Sequence, residues 1–163
     1  MSLGQRVTDD HQLARLLQIG VVLEEVVESR AYQHLDSFDT GDRNPAVGAL
    51  LEDAAEESAT HRERLEDLVA DLNAETVAYE EINALVEAKY AQTAPEDFDD
   101  LLYDQLCNEE TAYKFYDDLI EAIRASDTEF SIDRDRVLSV LADIREEEAE
   151  GVEEVTELME AYE

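Results

Sequence analysis

Two stretches carry side chains whose types and spacing suit metal chemistry. The first is residues 54–65, with Ser58 and His61, and the second is residues 144–155, with Glu148 and Gly151. Laid side by side, Ser58 meets Glu148 and His61 meets Gly151. A Glu and a His three residues apart on a helix share one face. Bundles that hold two carboxylate-bridged metal ions use that Glu-x-x-His unit twice. Each stretch here keeps half of it: the first has the imidazole without the carboxylate, the second the carboxylate without the imidazole. Two more carboxylates join them, Glu24 and Glu109, each the first of a Glu-Glu pair. Glu24, His61, Glu109 and Glu148 are donors for iron or another divalent ion. Three carboxylates and one imidazole suit one such ion better than two.

Four long amphipathic helices must position these residues. Helix A spans about 8–38, opening at the capping residues Thr8-Asp9-Asp10. Its apolar stripe is Leu13, Leu16, Leu17, Gly20, Leu23, Val27, Ala31 and Leu35, with Glu24 in the middle. Asn44-Pro45 starts helix B, about 45–72, where Ser58 and His61 fall on the stripe of Val47, Leu50, Leu51, Ala54, Leu65, Leu68 and Leu72. A crossover over 73–97 carries Ile82, Leu85, Val86 and Tyr90, spaced for a short packed helix. Helix C, about 97–126, shows Leu102, Leu106, Tyr113, Tyr116, Ile120 and Ile123, with Glu109 in the gap. Helix D, about 132–162, is capped by Ser131 or Asp133 and aligns Val137, Leu141, Ile144, Glu148, Val155, Met159 and Tyr162. The expectation is a single all-α domain over 1–163: two helical hairpins joined by a long crossover, the ferritin-like arrangement of a four-helix bundle.

Counting residues tests whether the four stations share a level. Glu24 lies 18 residues before Asp42, near the A–B turn, and Ser58 lies 16 after it. Glu109 lies 20 residues before Glu129, near the C–D turn, and Glu148 lies 19 after it. At about 1.5 Å per residue, each hairpin brings its two candidates to within a few ångströms of one height. A carboxylate on a buried stripe is costly unless paired, protonated or metal-bound. A metal centre and a pocket of water or buried hydrogen bonds are the two readings of this seam. His11 and His34 lie 13 and 10 residues from Glu24, too far along the helix to join it. Glu25, Glu28, Glu57 and Glu110 are reserve carboxylates; Glu57 or Glu28 is placed to replace a missing ligand. Tyr113 is placed as a hydrogen-bond donor to the seam, and Cys107, off it, reads as a small buried residue.

Composition sets the outer bounds. With 44 acidic against 12 basic residues the net charge is -32, a field that repels nucleic acid and anionic membranes. Only Lys89 and Lys114 are lysines, and the acids run through every segment. Such an acid-rich, lysine-poor surface resembles proteins of salt-accumulating, halophilic archaea, where concentrated salt screens self-repulsion. The single cysteine excludes an internal disulfide and a four-cysteine iron site. The apolar run Ile19-Gly20-Val21-Val22-Leu23 is too short to span a membrane, so a cytoplasmic protein is expected.

The chain resembles the rubrerythrin and ferritin-like superfamily across nearly its whole length. The likeness rests on Glu24-Glu25, on the Glu-Glu-Ser-Ala-Thr-His-Arg-Glu-Arg-Leu run at 56–65, on Glu-Glu-Thr-Ala-Tyr-Lys-Phe-Tyr at 109–116, and on Glu-Glu-Glu-Ala-Glu at 146–150. Glu109-x-x-Ala112-x-x-Phe115-Tyr116 is especially similar to the family's first-helix pattern. The resemblance implies two irons and an iron-dependent oxidoreductase of ferroxidase or peroxidase type. The matching ligands are Glu24, His61, Glu109 and Glu148; Ser58 and Gly151 stand where the family has Glu and His. It further implies an electron donor on a separate protein and pairing into a homodimer or larger homo-oligomer. The contrasting expectation is a non-catalytic bundle serving as an oligomerisation or partner-binding module.

Overall fold

The computed structural model describes residues 7–37, 45–76, 80–81, 84 and 98–161. Four helices fill them: α1 (Asp10–Ser37), α2 (Pro45–Asp71), α3 (Phe98–Arg124) and α4 (Arg134–Ala161). The short helix expected around Ile82–Tyr90, and Tyr162 of the last stripe, lie outside the described residues. α1 packs along α2 and α3 along α4; the two hairpins then meet through α2 against α4 and α1 against α3. The protein is an all-α, ferritin-like four-helix bundle.

Local chemistry fixes the helix ends. Asp9 Oδ1 accepts the Gln12 amide at 2.8 Å, while Gln12 Oε1 accepts the Thr8 amide at 2.7 Å, a reciprocal cap on α1. Asp133 Oδ1 accepts the Asp135 amide at 3.1 Å and caps α4. Ser131 instead ties the bundle end together, its Oγ accepting the Asn73 amide at 2.8 Å. Arg134 donates to the carbonyls of Ser126 and Thr128 at 2.7 and 2.8 Å and braces the α3–α4 turn.

Inward positions follow spacings of three and four residues, the pattern of a bundle seam. On α1 these are Leu13, Leu17, Gly20, Glu24, Val27 and Ala31, and on α4 Val137, Leu141, Ile144, Glu148, Gly151 and Val155. On α3 the seam is Leu102, Gln105, Glu109, Ala112, Tyr116, Leu119 and Ile123. Leu106 and Tyr113, which the apolar stripe placed inside, flank that seam, and Tyr113 is 38% exposed. Gln105 and Ala112 are the true inner positions; one is polar and one small, so neither announced itself. Cys107 is exposed, not buried.

The apolar core has two parts. One gathers Leu13, Leu17, Leu65, Leu68, Tyr116, Ile120, Ile123, Leu141 and Ile144, toward the α3–α4 turn. The other gathers Leu35, Val47, Leu51, Leu101, Leu102 and Val155 at the opposite end. Between them every helix contributes a polar residue.

Candidate metal centre

Those residues are Glu24, His61, Glu109 and Glu148, one from each helix, with Ser58 beside them. Glu24 and His61 are 0% exposed, Glu148 is 3% and Glu109 is 6%. The structure therefore brings together all four positions singled out in the sequence. Glu24, His61 and Glu148 each offer a donor atom within 4.8 Å of the others. His61 Nδ1 lies 3.3 Å from Glu24 Oε1 and 3.1 Å from Glu148 Oε1. Tyr116 donates its hydroxyl to Glu24 Oε1 at 2.6 Å. Glu24 Oε2 has no hydrogen-bond partner among the described residues, although it is fully buried. Glu109 accepts from Gln105 Nε2 at 2.9 Å and is hydrogen-bonded to Glu148.

The outer nitrogen of His61 meets a second pair of carboxylates. Nε2 is bonded to Glu147, and Glu57 lies 3.9 Å away; both acids reach solvent, at 42% and 39% exposed. Glu147 sits one position off the seam that Glu148 occupies, so the stripe does not mark it. The signal was available in part: a buried histidine needs a partner for each ring nitrogen. Tyr116 takes the hydrogen-bonding place expected of Tyr113. Glu28, expected in reserve, is held by Arg62 at 2.6 Å on the bundle flank. Glu110 is exposed and faces away from the centre.

Electrostatics record the crowding of charge. Burial would lower the His61 pKa, but the hydrogen bond and charge of Glu24, together with Glu147 and Glu57, raise it to about 9. Burial pushes Glu57 up to about 7, partly offset by His61. Glu148 rises well above the usual carboxylate range, through burial and the charges of Glu24 and Glu109, and Glu109 rises chiefly through burial. Without a cation, protons and the His61 imidazolium must balance these carboxylates. Tyr116, buried beside Glu24, is held fully as the phenol.

The donor chemistry fits a divalent cation: carboxylate oxygens and an imidazole nitrogen converge in a shielded site, and one buried carboxylate oxygen lacks a partner. A different acidic group on α3, Asp117, Asp118 and Glu121, is surface chemistry, with Arg145 on Asp117 and Lys114 on Asp118.

Residues 22–134 match the Rubrerythrin family. The chain belongs to that family. The matched stretch contains Glu24, His61 and Glu109, while Glu148 lies beyond it and is grouped with Glu24 and His61 by the fold. No curated protein sequence and no solved structure matches the chain. Among the described residues no helix is long and apolar enough to cross a membrane.

Proposed function

We propose that this rubrerythrin-family chain binds a divalent metal ion, iron foremost, through Glu24, His61, Glu109 and Glu148. The observation that carries the reading is Glu24 Oε2: a buried carboxylate oxygen without a hydrogen-bond partner among the described residues, on a side chain gathered with an imidazole and two further carboxylates. Leaving such an atom unpaired costs roughly 1–3 kcal/mol, and a cation removes that cost. Bound iron would supply one-electron redox chemistry, with ferrous iron or peroxide as the substrate class and electrons coming from a separate protein.

The protein's own residues prepare the site. Glu147 on Nε2 orients the His61 ring so that Nδ1 faces inward, the second partner that metal-binding histidines usually have. Tyr116 holds Glu24 through Oε1 and leaves Oε2 for a ligand. The two apolar clusters above and below shield the centre from bulk water.

A second reading, a bundle that has lost its metal and serves as an oligomerisation or partner-binding module, draws on Ser58 and Gly151, where two donors are missing. Elemental analysis after anaerobic loading with ferrous iron separates the two. Stoichiometric iron that Glu148→Gln abolishes is the expected result. No iron in the wild-type protein would leave only the second reading. The acid-rich, lysine-poor composition supports an origin in a salt-accumulating archaeon, and the shortness of the apolar run at 19–23 supports a cytoplasmic setting.

A further inference from the structure

Gly151 is the seam position of α4 that brings no side chain to the centre, and Glu109 has taken the room. A Cβ at 151 would lie 2.6 Å from Glu109 Oε2, 2.8 Å from its carboxyl carbon and 3.2 Å from Oε1. Real side chains essentially never approach so closely, so the carboxylate and a side chain at 151 exclude each other as they stand. Gln105, one turn earlier on α3 and fully buried, holds the carboxylate from Oε1 at 2.9 Å. Glu24, His61 and Glu148 converge without Glu109 being part of the closest group. Across the centre Ser58 is 4% exposed and offers a hydroxyl where a carboxylate would be needed.

Charge and donor count then point the same way. Once the closest three ligands are assigned, Glu109 is the sole seam carboxylate left for another ion, and it is already engaged by Gln105 and Glu148 beside Gly151. Divalent ions of this class need several oxygen or nitrogen donors each. Three seam carboxylates balance one divalent cation with negative charge to spare. Two such cations would exceed the charge of the three seam carboxylates, so a second ion would depend on Glu57 and Glu147, which lie at the solvent boundary on the outer side of His61.

We propose that the centre holds one divalent cation per chain, with Glu24, His61 and Glu148 as its closest ligands and Glu109 as the fourth, and that Gly151 fixes this number by giving the Glu109 carboxylate the volume a second set of donors would need. The proposal rests on the metal-binding reading above and adds the count and the residue that sets it. Its consequence is chemical: the bound ion would act as a single metal centre, without a neighbouring ion to share a substrate.

The test is equilibrium dialysis of chelator-stripped protein against cobalt(II), with elemental analysis, in molar KCl and excess magnesium to occupy surface carboxylates. Wild-type protein should bind one cobalt per chain. Gly151→Ala should still bind one, because the far end of a flexible Glu109 yields to a methyl group, but with an altered cobalt absorption spectrum. Ser58→Glu with Gly151→His should bind two. Circular dichroism confirms that each variant keeps its helices. Two cobalt ions in the wild type overturn the count while leaving the metal reading intact. One in a folded double variant overturns the role given to Gly151. No cobalt in the wild type overturns both this proposal and the metal reading.

Discussion

His61 carries the most chemistry of any residue in the chain, because each ring nitrogen faces a different environment. Nδ1 looks into a sealed group of carboxylates, and Nε2 looks out toward Glu147 and Glu57 at the solvent boundary. Its raised pKa has a consequence for stability. A group whose folded pKa exceeds its unfolded value stabilises the fold at low pH and loses that contribution as pH rises. For Glu57 the loss runs between 4.5 and about 7, and for His61 between 6.5 and about 9. Denaturant unfolding of the metal-free protein should therefore show falling stability from pH 6 to pH 9. Metal affinity should change in the opposite sense, since the ion displaces the Nδ1 proton; isothermal titration in buffers of different ionisation enthalpy would register the release. Glu148→Gln follows the same logic. It removes a carboxylate that already favours its protonated form, so the metal-free protein should melt no lower than wild type while ferrous binding falls at least tenfold. A melting temperature lowered by several degrees would show that Glu148 stabilises the empty core.

At the scale of elements, the centre needs four helices held in register, and specific pairs do this near it. Asp104 on α3 accepts from Arg30 and pairs with His34 at 2.7 Å, both on α1, and all three are largely shielded. Burial would raise the Asp104 pKa, but the hydrogen bonds from His34 and Arg30 lower it. This contribution is present above the ordinary carboxylate range and is lost as pH falls through the depressed value, the reverse of His61. Asp104→Ala removes the carboxylate that the buried Arg30 and His34 side chains share, and should cost about 3 kcal/mol in urea unfolding. Asp9→Ala at the cap of α1 should cost about 1 kcal/mol. Capping side chains mark the starts of α1 and α4 in the sequence, Asp9 for one and Asp133 for the other. The rotation of α3 has no such mark. Leu106 is more apolar than Gln105 and Tyr113 is larger than Ala112, so the apolar stripe runs one position off the seam.

For the whole molecule, the -32 charge sets the working conditions. Self-repulsion among acids spread over every helix opposes the compact state, and concentrated salt screens it. The melting temperature should rise markedly between low salt and molar KCl. A flat profile would remove the salt-adaptation reading without touching the metal centre, whose charges are buried. The polar belt also divides the apolar core into two clusters, so a cation at the centre would join two otherwise separate packing units. Metal loading should accordingly slow amide exchange in the middle turns of all four helices, and not at the caps.

The sequence by itself determined that the chain is an all-α bundle of two hairpins, and residue counts set Glu24 level with Ser58 in one hairpin and Glu109 level with Glu148 in the other. Both follow from quantities that run along the chain: periodicity, caps, and a fixed rise per residue. Only the tertiary structure decided which neighbours those side chains meet. Tyr116 rather than Tyr113 reaches Glu24, Glu147 holds the outer nitrogen of His61, Arg62 holds Glu28, and Glu109 leans into the space above Gly151. The physical reason is angular. Adjacent residues on a helix point about 100° apart, so contact across a bundle depends on how each helix is rotated against its partners. That rotation is settled by the packing of all four helices together.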